Sequence, residues 1–161
     1  MWPLVIMLQI LALAPPQPFE LGQDTTQLTL ITPGEAGLLR RVSAIVADPA
    51  ENLLLRLGRV ASDEEPGASW EVYVASSDPG DCDNVPALAG ILSLYGAMPE
   101  AEFVLPLDLA LAAGKPVGIK LLFKPVSGLV VDGEPVPVRV RSTVRIGAIS
   151  LETEGPGRPE P

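Results

Sequence analysis

The sequence of this 161-residue chain contains no histidine and one cysteine. Without histidine, Ser-His-Asp and Cys-His catalytic sets are excluded, as are copper, zinc and iron centres with imidazole ligands. The single cysteine, Cys82, excludes an internal disulfide and a cysteine-ligated zinc site, and we interpret it as a buried or loop thiol. Walker, dinucleotide-binding and G-x-S-x-G motifs are also absent. We therefore assign no catalytic, cofactor-binding or metal-binding residue and predict that the chain is not an enzyme.

Basic residues are few and scattered: 11 Lys and Arg stand against 20 Asp and Glu, for a net charge of −9. This balance argues against a nucleic-acid surface, because attraction to phosphates supplies most of such affinity. It indicates a soluble acidic surface but no particular partner.

Long apolar runs are also lacking, apart from Pro3–Ala14, which only Gln9 interrupts. This run is shorter than the roughly 20 residues that span a bilayer, so no membrane span is predicted. Its end, Ala12-Leu13-Ala14, has the small-x-small form of a signal-peptide cleavage site, but no Lys or Arg precedes it. We interpret residues 1–16 as a hydrophobic leader or possible signal segment. The chain would be secreted if residues 1–14 act as a signal, and cytoplasmic otherwise.

Proline and glycine are plentiful, at 18 and 15 residues, while aromatic residues make up 4% of the chain. Such a composition favours short strands joined by turns over long helices. We predict a mainly β protein: an antiparallel β-sandwich of about seven strands with one capped helix near the N-terminus and a short second helix. Its single domain is expected over residues 17–152, followed by a disordered tail at 153–161.

Alternating apolar and polar residues locate the strands. The pattern predicts strands at 25–32, 51–60, 69–75, 87–96, 101–107, 116–125 and 136–146. In the third of these, Trp70, Val72 and Val74 are expected to face the core, while Glu71 and Tyr73 face outward. Because its neighbours of the same parity are valines, Trp70 is predicted to be a core residue and not a platform for a ligand.

Two helices are predicted between the strands. A capping box, Thr32-x-x-Glu35, with Pro33 at the first helical position, predicts a helix that ends near Ala47. Its apolar face should contain Leu38, Leu39, Val42, Ile45 and Val46, with Arg40 and Arg41 on the polar side. The second, short helix is predicted at 107–113, before Gly114.

Three groups of charged residues are candidate binding sites. Asp78, Asp81, Asp83 and Asn84 offer oxygen ligands for calcium but lack the EF-hand spacing, so a solvated loop is the favoured interpretation and cation binding at 78–84 stays open. The consecutive Asp63, Glu64 and Glu65 are interpreted as a solvated turn. The stripe of Arg139, Arg141 and Arg145 is predicted to protect a strand edge from aggregation, with an acidic partner as the alternative. A carboxylate pair for glycoside hydrolysis would depend on distances that a sequence does not contain.

Short phrases follow one another along the predicted strands: ENLLLRLGRV, ASWEVYVA, LAGILSLYG, FVLPLDLAL, VGIKLLFKP and VRIGAISL. With the strand order, the capped helix and the lead-in PFELGQDTTQLTL, they resemble the C-terminal domain of bacterial tyrosinase-like and polyphenol-oxidase-like proteins. The resemblance covers about residues 17–152. In that family, histidines of a separate helical domain hold a pair of coppers that oxidises phenols, and the C-terminal β-sandwich packs over it.

This chain has no copper domain and no histidine, so the resemblance implies a domain that covers or assists a type-3 copper oxidase without activity of its own. In some relatives one bulky side chain shields the copper entrance. Tyr95, Met98 and Phe103 are the candidates here, although none matches a known plug position and a core role is favoured for Phe103. The alternative is a stand-alone secreted β-sandwich module that binds a ligand on one sheet face or through the acidic loop.

Overall fold

The computed structural model describes residues 6–13, 18–31, 34, 36–47, 52–76, 86–94, 98–107 and 118–156. One helix and eleven strands occur within these residues: β1 (Ile6–Leu13), β2 (Phe19–Leu21), β3 (Thr26–Ile31), α1 (Ala36–Ala47), β4 (Asn52–Ser62), β5 (Ser69–Ser76), β6 (Ala87–Ser93), β7 (Met98–Pro106), β8 (Ile119–Val126), β9 (Val130–Val131), β10 (Glu134–Pro135) and β11 (Val144–Pro156). Within the described part of the chain, no helix is long and apolar enough to cross a bilayer.

The strands form two antiparallel sheets and a separate hairpin. Sheet A has the order β1-β11-β4-β7, with β2 also paired to β11, and sheet B has the order β3-β8-β5-β6. Strands β9 and β10 form the hairpin. The prediction of a mainly β, antiparallel sandwich with one helix near the N-terminus is confirmed. The described residues contain more strands than predicted, because β1, β2 and the hairpin were not expected from the alternation.

The core lies where the apolar faces of the two sheets meet. Alternation along each strand turns every second side chain inward, and the fully buried side chains include Leu53, Leu55 and Leu57 of β4, Trp70 and Val72 of β5, and Ile119, Leu121 and Phe123 of β8. Val74 is almost fully buried as well. Burial of a side chain of this kind contributes about 1.5–3 kcal/mol. The predicted inward set of β5 is therefore confirmed, and Trp70 is a core residue.

Helix α1 packs one apolar face onto this core. Leu39, Val42 and Ile45 are buried, whereas Arg40 and Arg41 are exposed, as the helical spacing predicts. The predicted cap residues Thr32, Pro33 and Glu35 lie outside the described residues. The predicted second helix also lies outside them, apart from Leu107, which is buried just beyond the end of β7.

Described strands extend into both segments that were predicted to flank the domain. Residues 6–13, interpreted as a leader, form β1 and pair antiparallel with residues 150–156 of β11. Because β1 supplies backbone partners there, β11 continues to Pro156, four residues into the segment predicted as a disordered tail. Residues 157–161 lie outside the description.

The predicted strand at 136–146 is wrong in its first part: residues 136–143 are not in a strand and pair with none of the described strands, and β11 begins at Val144. The side chain of Gln23 supplies the hydrogen bonds that a neighbouring strand would otherwise make with this segment. The Gln23 amide nitrogen donates to the Val138 carbonyl at 3.0 Å, and the Val140 N–H donates to the Gln23 amide oxygen at 2.9 Å. A glutamine amide offers the same donor and acceptor as a peptide group. Gln23 therefore holds this segment by two bonds resembling those of a strand ladder.

Replacing Gln23 with Ala should release this segment without unfolding the sandwich. Each lost bond is worth about 0.5–1.5 kcal/mol, so we expect trypsin to cleave after the exposed Arg139 and Arg141 about tenfold faster in native conditions. Timed digestion followed by mass spectrometry measures both sites. Gln27→Ala, at an exposed position of β3, is the matched control, and equal cleavage of the two variants would contradict this role of Gln23.

Candidate functional site

Of the acidic residues singled out in the sequence, the structure describes only Asp63, Glu64 and Glu65. Asp63, Glu64 and Glu65 are exposed in the turn between β4 and β5, as predicted. Cys82 and the Asp/Asn loop at 78–84 lie outside the described residues. Among the residues that the structure describes, no three His, Cys, Asp or Glu side chains lie close enough to hold a metal ion.

The three arginines predicted to form one stripe lie on different kinds of structure. Arg139 and Arg141 belong to the extended segment held by Gln23, and the Arg141 N–H donates to the Pro66 carbonyl at 2.7 Å. Arg145 lies on β11 and contacts Asp63 at 3.0 Å. The three arginines are all exposed, but they do not lie on one continuous strand, because β11 begins at Val144.

Of the three candidate plug residues, only Phe103 has a side chain that the structure describes. Phe103 of β7 is partly buried and packs against the core, in line with the core role favoured from the sequence. Met98 begins β7. Tyr95 lies outside the described residues.

An unexpected surface lies on the outside of sheet B. The ladder pairs Gln27 with Leu122, Leu122 with Tyr73, and Tyr73 with Leu88, so these side chains form one row across all four strands. The next row pairs Lys124 with Glu71 and Glu71 with Ile91. Leu88 and Ile91 are each 52% exposed. An outer sheet face is usually polar, so this row of apolar side chains is the distinctive feature of the surface.

Two lysines flank the apolar row on β8. Lys120 lies on one side of Leu122 and Lys124 on the other, and the chain has only three lysines in total. A shallow cavity of about 320 Å³ opens beside Lys124 and is lined by Thr25, Tyr73, Pro86, Leu122 and Lys124. We call the surface formed by Glu71, Tyr73, Leu88, Ile91, Lys120, Leu122 and Lys124 the lysine-flanked face.

The polar tip of Tyr73 is oriented by its neighbour on the same strand. The Tyr73 hydroxyl donates a hydrogen bond to the Glu71 carboxylate. This bond raises the pKa of Tyr73 above its ordinary value, with smaller contributions from desolvation and from the charge of Glu71. The phenol is therefore neutral at physiological pH and presents a flat, amphipathic surface.

A second exposed apolar group occupies the β9–β10 hairpin. Leu129, Val130 and Val131 are exposed one after another. The hairpin closes through Asp132 and Gly133, whose φ angles of 52° and 80° are those of a type I′ turn. Ser127 braces its base by donating from its hydroxyl to the Val136 carbonyl at 2.7 Å.

Neither surface was found from the sequence. The alternation showed that Glu71 and Tyr73 of β5 and Lys120 and Lys124 of β8 face outward, and this is confirmed. It did not show that β5 and β8 are neighbours, because they are separated by β6 and β7 along the chain. The sequence feature that could have indicated this surface is Leu122, an apolar residue at an outward position between two outward lysines.

Comparison with models of known protein families matched none of them, and comparison with curated proteins gave no match.

Proposed function

We propose that this chain is a non-catalytic β-sandwich that binds a partner protein through its lysine-flanked face. The observation that carries the proposal is the row Leu122–Tyr73–Leu88 on the outside of sheet B, bordered by Lys120 and Lys124. Exposed apolar clusters with polar rims are typical of protein-binding surfaces.

The chemistry of the face specifies its partner. Tyr73 supplies the aromatic side chain that interface centres favour, and Leu88 and Leu122 supply further apolar area. The two lysines form a positive rim on a protein whose net charge is −9. A complementary partner surface therefore has an apolar centre and carboxylates at the positions facing Lys120 and Lys124.

The class of partner rests on the resemblance of the strand order and phrases to the C-terminal domain of tyrosinase-like proteins. On that basis the partner is a type-3 copper oxidase, and this chain covers or assists it. Because this chain contains no histidine, the imidazole ligands of the copper pair would all belong to the partner.

The test is a pull-down from source lysate with tagged parent chain and a variant carrying Leu88→Asp and Ile91→Asp. Both positions are half exposed, so the variant should fold. Val104→Asp, the same change at an exposed position of β7, is the matched control. We expect mass spectrometry to identify a histidine-rich copper oxidase among the proteins recovered with the parent and control chains. The double variant should recover at least tenfold less of this oxidase.

Recovery of no copper oxidase by folded parent chain would overturn the oxidase partner. Equal recovery by the double variant would overturn the role of the face. A second candidate, binding of a small ligand by a stand-alone module, is favoured by the cavity beside Tyr73 and Leu122. Its signature would be a ligand-dependent melting temperature that Tyr73→Ala removes.

A further inference from the structure

Arg59 has a backbone conformation that an arginine rarely adopts. It lies inside β4 with a φ of 49°, in the left-handed region. Side chains with a Cβ are strained there, and glycine or asparagine is the usual occupant. The preceding residue is Gly58. A glycine at position 59 itself would avoid the strain.

The local pairing explains how the conformation arises. The register of β4 on β7 shifts between Leu57 and Val60, which are both buried, so Gly58 and Arg59 both lie on the outer side of sheet A. On the neighbouring strand, a Cβ at Gly147 would lie 2.9 Å from the Arg59 Cβ. The bulge and this glycine therefore accommodate the arginine, and such a backbone outlier leads to a hypothesis of function for the Arg59 side chain.

The Arg59 guanidinium lines a cavity together with a second arginine. The cavity measures about 290 Å³ and is lined by Pro18, Arg59, Ala61, Glu100, Arg145 and Gly147. Arg59 donates from Nη2 to the Gly147 carbonyl at 3.2 Å, which leaves most of its five N–H donors for other acceptors. Arg145 enters from β11, beside Arg59 on the same outer surface.

The existing partner of Arg145 is weakly held. Its contact with Asp63 joins two exposed side chains, 52% and 80% exposed. Exposed ion pairs of this kind contribute little net stability, so a competing anion could replace Asp63 at low cost. Glu100 on β7 is exposed and opposes anion binding from the other wall of the cavity.

We propose that this cavity binds a small ligand through a carboxylate or phosphate group held between Arg59 and Arg145. The planar guanidinium matches the paired oxygens of both groups, and two arginines line this cavity. The ligand is small, because the cavity is at the lower end of the range for binding pockets. This site is on the opposite sheet from the lysine-flanked face and does not depend on it.

Inorganic phosphate and citrate are the two probes, titrated at constant ionic strength against chloride, with melting temperature and calorimetry as readouts. Saturable binding of either probe is expected, and the probe that binds more tightly identifies the ligand class.

Arg59→Gly should weaken binding of this probe at least tenfold. The melting temperature of the free variant should be unchanged or about 2 °C higher, because the backbone strain is released. Arg145→Gln should weaken binding similarly, and Glu100→Gln should tighten it about threefold. Arg40→Gln on α1, an exposed arginine outside the cavity, is the control.

Failure of both probes to bind saturably would overturn the proposal, as would parent-like binding by Arg59→Gly. A lower melting temperature in Arg59→Gly together with parent-like binding would assign the guanidinium to stability, through its bond to the Gly147 carbonyl. Arg59→Lys keeps the charge and loses the planar fork, so weaker binding at unchanged stability supports recognition by the guanidinium.

Discussion

Replacing Arg56 with Met is expected to lower the free energy of unfolding by about 3 kcal/mol, the lower end of the usual cost of breaking a buried ion pair, because among the described residues the Glu152 carboxylate would keep only a hydrogen bond from Ser150. The Arg56 Nε donates to the Glu152 carboxylate at 2.7 Å, and the Glu152 side chain is only 5% exposed. The other side of the guanidinium contacts the exposed Glu102. Urea denaturation followed by circular dichroism measures the effect.

Two comparisons separate the buried charge from other causes. Arg145→Met removes an arginine from an exposed pair and should cost less than about 1 kcal/mol. The double variant Arg56→Met with Glu152→Leu removes both charges and should return to within about 1–2 kcal/mol of the parent, because well-packed apolar residues can replace a buried pair. If Arg56→Met and Arg145→Met cost the same, Glu152 does not depend on Arg56.

Truncation of Trp70 to Ala should cost about 3–5 kcal/mol. The indole is completely buried between the sheets, and its Nε1–H donates to the Gly22 carbonyl at 3.4 Å. The variant removes a large apolar contact, leaves a cavity and deprives Gly22 of a donor. Because tryptophan fluorescence changes with the substitution, circular dichroism in a urea gradient is the appropriate measurement.

The matched control for Trp70 lies on the same strand. Tyr73→Ala removes an aromatic side chain of opposite parity from the outer face, and we expect it to cost about 1 kcal/mol or less. A cost for Tyr73→Ala equal to that of Trp70→Ala would mean that the outer face of sheet B is covered by other residues of this chain. Trp70→Phe should have an intermediate effect, because it keeps a ring and loses the donor.

The sequence was sufficient for features that repeat locally. Alternation located β4, β5 and β8 and the inward direction of Trp70, Val72 and Val74, because strand parity depends only on adjacent residues. It failed at 136–143, where valines and arginines alternate as in a strand. Alternation shows that a segment is extended but not what pairs with it, and here Gln23 occupies the place of a neighbouring strand.

The surfaces and charge pairs depend on contacts between distant parts of the chain. Arg56 and Glu152 are 96 residues apart in sequence, so their pairing follows from the β4–β11 register. The row through Leu122, Tyr73 and Leu88 likewise requires the order of sheet B. The positive φ of Arg59 arises at an irregularity of the β4–β7 pairing, and no residue pattern in LRLGRV indicates it.

The pairing of β1 with the last half of β11 determines how the fold responds to mechanical force. Ile6 is opposite Pro156 and Leu13 is opposite Ser150, so the outer ends of these two antiparallel strands are neighbours. Tension applied through residues 6 and 156 acts across the ladder and opens its hydrogen bonds one after another. Strands pulled along their length would instead have to break all their bonds together. The sandwich should therefore unzip at low force from this edge, while β4 and β5 in the interiors of the two sheets stay paired until β1 has separated.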